Sequence, residues 1–419
     1  MRSQEPVPVA GQSFRIFLAG RTVSELGSRV TREGLPIIAV LLLHATAQDL
    51  SWLAAVAYVA ALAAAPLSGV LVDRQRRRPL LIAADLLRAL ALAGLTAAAL
   101  LGRLAFWQVL VAFGVVAALS TLFDVADQAW LPGLVGRGQL APANASLAVA
   151  SAVGETGGPL LMGLLIQFLG GPLTILSDAV SYLASALTLL QLRREPPPAS
   201  APPQPVSHAV RDGIVALWRH PLLRPLALTA ALISLSGGIF DALYAFFALR
   251  DLHLSAFTIG LLITGGGLGA LAGGALAPAV SRRLGLGRAT LWGVLLYGLL
   301  TLLVPLAPTT PLLAFAALLA AQLLGDFAQT IFGFGEAVLR QSVTPGSWLG
   351  RISGSQRLLG NVLGAVGALA GGLMAGPLAV RGALAVAALC VLASLFWLVR
   401  SPLRGLGEAP AIEPQRFPA

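Results

Sequence analysis

The feature that most limits the fold is a succession of long apolar runs, each bounded by a turn or a charged loop. They fall at residues 14–44, 51–72, 79–101, 105–131, 141–169, 171–192, 221–249, 256–280, 289–308, 311–339, 350–376 and 379–399. A hydrocarbon core of roughly 30 Å takes about 20 helical residues to cross, and backbone inside it must satisfy its own hydrogen bonds, so each run is predicted to be a membrane-spanning helix. The chain is therefore an all-α membrane protein of twelve spans. Composition agrees, with 57% hydrophobic and 11% charged residues, against about 25% charged in a soluble domain.

The net charge of +10 comes from arginine alone, since the chain contains no lysine. In a soluble chain that excess would point to nucleic acid. Here the arginines lie mostly between apolar runs, where anionic membrane lipids and the positive-inside bias account for them, and nucleic-acid binding is not expected. The loops after spans 2, 4, 6, 8 and 10 carry Arg74, Arg76, Arg77, Arg78, Arg137, Arg193, Arg194, Arg211, Arg219, Arg282, Arg283, Arg288 and Arg340; the opposite loops carry little beyond Arg103, Arg250 and Arg381. Both termini are thus expected on the cytoplasmic side. The residues before span 1 show no cleavable-signal pattern, and the single Cys390 excludes an intrachain disulfide or cysteine metal cluster.

Span 1 is unusual because Arg21, Glu25, Arg29 and Glu33 recur every fourth residue, with Arg32 beside them. That spacing puts them on one helix face with opposite signs in i,i+4 contact, a face too costly to turn to lipid. Two readings stand: the pairs neutralise one another and lock span 1 to its neighbours, or they handle substrate or protons. The Pro- and Ala-rich stretch from Arg193 to Pro205 reads as a linker, followed by a short surface helix within 206–219. The expected division is a six-helix bundle over 14–192, a linker over 193–220, a second bundle over 221–400 and a tail over 401–419. An internal offset of 208 residues supports the two halves, placing Glu33 over Asp241, Asp73-Arg74 over Ser281-Arg282, Val135 over Val343, Gly138 over Gly346 and Gly163 over Gly371.

Between spans 2 and 3, Gly69 to Pro79 reads Gly-Val-Leu-Val-Asp-Arg-Gln-Arg-Arg-Arg-Pro. With the two sets of six spans and the central linker, this loop resembles the signature of the major facilitator superfamily of secondary transporters. Gly69, Asp73, Arg74, Arg77 and Arg78 match, while Arg76 replaces the usual second glycine. The resemblance implies two pseudo-symmetric six-helix halves that rock to give alternating access. It also implies a gating latch at Asp73, with the bland alternative of a solvated loop that only sets topology. The counterpart in the second half has Ser281 where the acid would be.

Within that superfamily, the segments Phe123–Val135 and Leu140–Leu147 resemble the drug and macrolide efflux branch, which includes siderophore exporters. Gly154-Glu-Thr-Gly-Gly158-Pro159-Leu-Leu-Met-Gly163 resembles the antiporter signature of span 5, with Met162 where glycine is common. Gly154, Gly158, Pro159 and Gly163 are expected to allow close helix approach, whether for the path or for packing alone. Span 4 lacks the arginine of many proton-coupled exporters and carries Asp124 and Asp127, expected to pair with Arg137 or with the Arg74–Arg78 loop at a gate.

A carboxylate in a low-dielectric site can exchange a proton as access alternates. The path and proton-coupling candidates are Arg21, Glu25, Arg29, Glu33, Glu155, Asp241 and Asp326; Asp85 with Arg88, Asp178 and Glu336 are further membrane-embedded charges, Asp178 read as structural. Tyr58, Phe240, Tyr244, Phe247 and Phe327 are the expected substrate-pocket aromatics. Gly265-Gly-Gly-Leu-Gly269 has no preceding strand and reads as helix packing; a phosphate-binding Gly-Lys-Ser/Thr loop is impossible without lysine; His44, His208, His220 and His253 lack metal-site spacing. No catalytic arrangement, cofactor or metal site is expected. The expected function is proton- or ion-coupled efflux of an amphipathic small molecule by a monomer in a prokaryotic cytoplasmic membrane, the alternative being transport of a specific metabolite, siderophore or metal species.

Overall fold

The protein is described by a computed structural model covering residues 11–192, 206–408 and 410. The expected linker, Arg193 to Pro205, lies outside the described residues, as do residues 1–10 and 411–419 and the side chains of Arg137 and residues 206–210. The described residues form helices α1 (Gln12–Leu43), α2 (Ala47–Arg74), α3 (Arg77–Leu100), α4 (Phe106–Val135), α5 (Leu140–Leu190), α6 (Val206–Arg219), α7 (Leu223–Phe246), α8 (Ala256–Leu284), α9 (Leu286–Thr301), α10 (Pro311–Val343), α11 (Gly346–Ala375) and α12 (Ala379–Val399).

Nine of these helices are long and apolar enough to cross a membrane. One of them, α5, is two spans in sequence. At Gly170 the backbone takes φ 77° and ψ 169°, which ends the first span, and Pro172 begins the second where its missing N–H costs nothing. Among the expected spans, α1 misses that standard through its charges and α9 through its length of 16 residues. With both included, the all-α bundle of twelve spans expected from the apolar runs is what the structure shows. The ninth span is shorter than the run 289–308, because turns follow Thr301 on the way to Pro305.

Local chemistry starts several helices. Thr46 and Asp49 cap α2 reciprocally, the Asp49 carboxylate accepting from the Thr46 amide at 2.8 Å and the Thr46 hydroxyl from the Asp49 amide at 3.2 Å. Ser255 accepts from the Thr258 amide to open α8, and His220 Nδ1 accepts from the amides of Leu222 and Leu223 at the head of α7. At its other end α7 widens into a π-helical turn, Phe247–Asp251.

The chain divides into two compact units. Unit 1 comprises Met1–Leu43 and Ala63–Pro203; unit 2 comprises His44–Leu62 and Gln204–Ala419. Unit 1 is built on Phe14, Phe17, Leu81, Phe123, Trp130 and Leu189, with Phe17 and Trp130 edge to face at 5.3 Å. In unit 2 the core runs through Leu217, Leu226, Leu339, Ile352, Val391 and Leu403. The amphipathic α6 lies on α11, with Ala216 and Leu217 buried, Trp218 half exposed, and Asp212 3.6 Å from Arg351.

Candidate functional site

Unit 1 concentrates its charge where α1 meets α4 and α5. Arg21 is the hub. Its guanidinium lies 2.7 Å from Glu25, one turn along α1, and 2.8 Å from Asp124 and 3.8 Å from Asp127 on α4. Both α4 acids are thus served by α1, not by the Arg74–Arg78 loop expected from their position near the end of span 4. The side chain of their other expected partner, Arg137, is not among those described. One turn of α1 further on, Arg29 pairs with Glu155 of α5 at 2.7 Å, and Glu33 sits 3.8 Å from Arg32. The four-residue ladder is therefore not continuous, since its second half turns to other partners.

Small residues make that meeting possible. A Cβ at Gly154 would press on Glu25, and one at Gly158 would collide with the Cβ of Arg29. Pro159 and Gly163 are buried in the same face of α5. Close approach brings Glu155 within reach of Arg29, so helix packing and ion pairing are one arrangement.

Beneath the ladder lies a sealed polar core. Asp85 pairs with Arg88 on α3, and Arg88 also donates to the Ser120 hydroxyl at 3.1 Å. The Arg88 guanidinium rests over the rings of Phe123 and Tyr182, at 4.7 and 4.2 Å from their centroids, while Arg21 lies 5.0 Å over the same Phe123. Tyr182 meets the Ser28 hydroxyl at 3.0 Å, and Ser181 donates to Asp178 at 2.8 Å. Asp85, Asp178 and Tyr182 are 0% exposed, which fits a structural role for Asp178. Sequence reasoning passed over Tyr182, Ser28 and Ser120. An intramembrane arginine with hydroxyls on neighbouring spans was the signal available.

The basic loop divides by residue. Asp73 and Arg74 are exposed and Gly69 is half-buried, and among the described residues the Asp73 carboxylate has no hydrogen bond or ion pair. Arg77 is half-buried at the head of α3. Arg78 instead donates to the carbonyl oxygens of Leu189 and Leu190 at 2.8 and 2.7 Å, capping the end of α5.

Unit 2 holds a second constellation. The Tyr58 hydroxyl donates to Asp241 at 2.6 Å, and the Tyr58 ring lies so close over Gly364 that a Cβ there would strike it. On α10, the half-buried Asp326 has no ion pair or hydrogen bond on its carboxylate among the described residues. It faces Gly266 of α8, where a Cβ would run into its Oδ2 atom and lie in contact with Gln322. The Tyr244 hydroxyl is buried, with Gln322 and Asp326 as its polar neighbours. Tyr297 of α9, which sequence reasoning missed, stands within electrostatic reach of both Asp326 and Asp241.

The other expected pocket aromatics behave differently. Phe247 is 0% exposed and lies 5.1 Å beneath Arg381, whose guanidinium donates to the carbonyls of Pro305 and Ala307. Phe327 packs on a cluster of Ala277, Ala289 and Ile331, and Phe240 is half-buried. Glu336 belongs to a third group, 3.2 Å from Arg340 and accepting from Gln356 at 3.0 Å. Among the described residues, no three His, Cys, Asp or Glu side chains are placed to hold a metal ion.

Comparison with known proteins bears on the whole chain. The sequence profile of the Major Facilitator Superfamily matches residues 23–339. The multidrug efflux pump Tap of Mycolicibacterium fortuitum is 29% identical over 386 residues, covering 88% of this chain and 89% of Tap. A bacterial homologue of the iron transporter ferroportin, solved in an inward-facing state, superposes with a TM-score of 0.71 at 19% identity, covering 93% of this chain and 98% of that one. The nucleoside transporter NupG superposes with a TM-score of 0.73 at 12% identity, covering 93% and 98%. At such identities the two structures speak for the fold alone.

Proposed function

Because the chain belongs to the Major Facilitator Superfamily, and so is a secondary active transporter working by alternating access rather than an enzyme, we propose that its cargo is a defined polar solute, either a metabolite or a chelated metal of the siderophore kind. The observation that carries this reading is the polar surface of unit 2: the Asp326 carboxylate, without an ion pair or hydrogen bond among the described residues, with Gln322 and the buried Tyr244 hydroxyl as its neighbours, and the Tyr58–Asp241 pair in the same unit. Polar groups kept within an apolar bundle without partners cost free energy, and a site built to hydrogen-bond its ligand is the usual reason to keep them. The aromatic surface that would hold varied apolar compounds is thinner than expected, because Phe247 and Phe327 are committed to packing. With no three-donor group for a bare ion among the described residues, a metal cargo is read as a chelate.

Export of amphipathic drugs is the second reading, favoured by the likeness to Tap. In either case Asp326 and Glu155 are the proposed coupling acids, the first unpaired and the second half exposed beside Arg29. The arginine distribution supports cytoplasmic termini in a prokaryotic inner membrane, and Asp73 is proposed as the gating acid of the first bundle.

The test is uptake into proteoliposomes with a pH-sensitive dye inside, screening nucleosides, amino sugars and ferric siderophores against ethidium. Saturable transport of a polar solute, lost in Asp326→Asn, is the expected result. Transport of ethidium alone, unaffected by Asp326→Asn, would overturn the polar-solute reading.

A further inference from the structure

The two bundles fasten the same joint by different means. In unit 1, Arg78 on the first turn of α3 donates to the last carbonyls of α5, at Leu189 and Leu190, and so ties the start of the third span to the end of the sixth. The offset of 208 residues carries Arg78 onto Leu286, whose side chain has nothing to donate. In unit 2 the backbone makes the tie. Beyond α12 the chain turns at Ser401, whose hydroxyl donates to the Leu398 carbonyl at 2.6 Å, passes through a 3-10 turn, Pro402–Gly405, and returns to the head of α9. There the amides of Leu286 and Gly287 donate to the carbonyls of Gly407 and Leu406, each at 3.0 Å. A helix leaves its first amides without intrahelical acceptors, and these two are satisfied by the tail.

Independent features hold the segment in place. Leu403 is 0% exposed within the core of unit 2, against which Leu406 also packs. Position 287 admits only glycine, because a Cβ there would collide with the Leu403 carbonyl oxygen. At Gly285, φ is 85° and Gly407 lies alongside.

We infer that residues 401–407 are a strap that does for unit 2 what Arg78 does for unit 1, locking the third span of the bundle to its sixth so that the α8–α9 turn moves with the bundle as one piece. The segment that reads in sequence as the start of a tail is a working part of the second bundle. This inference is independent of the cargo.

Hydrogen–deuterium exchange of the full-length protein in lipid nanodiscs tests it. The peptide spanning 284–290 is expected to exchange slowly in the intact chain and about tenfold faster when the chain is ended after Arg400, the loss expected for amides whose acceptors are removed. Gly287→Ala, with the whole chain present, is expected to raise exchange in both 284–290 and 402–407. It decides the matter if the truncated protein does not yield a monodisperse species. Fast exchange of 284–290 in the intact protein, or unchanged exchange in Gly287→Ala, would overturn the strap.

Discussion

Arg21 serves three carboxylates from one helix turn, and their burial sets how much each matters. Asp127 is 8% exposed and Asp124 53% exposed by side chain. Arg21→Ala strands the buried acid and is expected to cost about 3–5 kcal/mol, whereas Asp124→Asn removes a solvent-screened partner and is expected to cost under about 1 kcal/mol. Thermal unfolding of the purified variants checks the ranking. The Glu25 partnership was legible in sequence as an i,i+4 pair. The α4 partnership was not, because it depends on which helix α4 lies beside, and the acids' nearness to the basic loop pointed elsewhere. In unit 2, Tyr58→Phe keeps the ring over Gly364 and removes the hydrogen bond to the exposed Asp241, an expected loss of under about 1 kcal/mol for a solvent-screened bond. Gly364→Ala should be worse than Tyr58→Phe, since its methyl displaces the whole ring; equal melting temperatures for the two would contradict the packing.

At the scale of elements, the glycines of α5 set the distance to α1. Gly158→Val inserts a branched side chain against Arg29, so an overpacking cost of about 1–3 kcal/mol is expected together with separation of Arg29 from Glu155. A double-mutant cycle of Gly158→Val with Glu155→Gln should therefore be non-additive, and additive melting shifts would uncouple the packing from the pair. The small-residue pattern marked this face in advance. Likewise Gly170-Gly171-Pro172 marked the break that leaves α5 as two spans. The fate of Phe247 was hidden. It sits where α7 becomes a π turn, and that one change in winding delivers the ring to the underside of Arg381 instead of leaving it free for a ligand.

For the whole molecule, the exposed Asp73 is a charge available to a gate, and Asp73→Asn is expected to lower kcat several-fold with KM nearly unchanged in proteoliposomes. An unaltered kcat would leave the loop with topology alone. The sequence by itself determined the class of solvent, the number of spans, the family and the twofold pattern of bundles, because apolar length and loop charge are properties of the chain read locally and the bilayer enforces them span by span. Tertiary structure alone decided which charges meet. Arg21 took the α4 acids, Arg88 settled over two aromatic rings, and the amides of Leu286 and Gly287 found their acceptors in the C-terminal strap. Each of these joins residues far apart in sequence through a helix contact of a few ångströms, and a distance of that kind is fixed by packing rather than by any local pattern of residues.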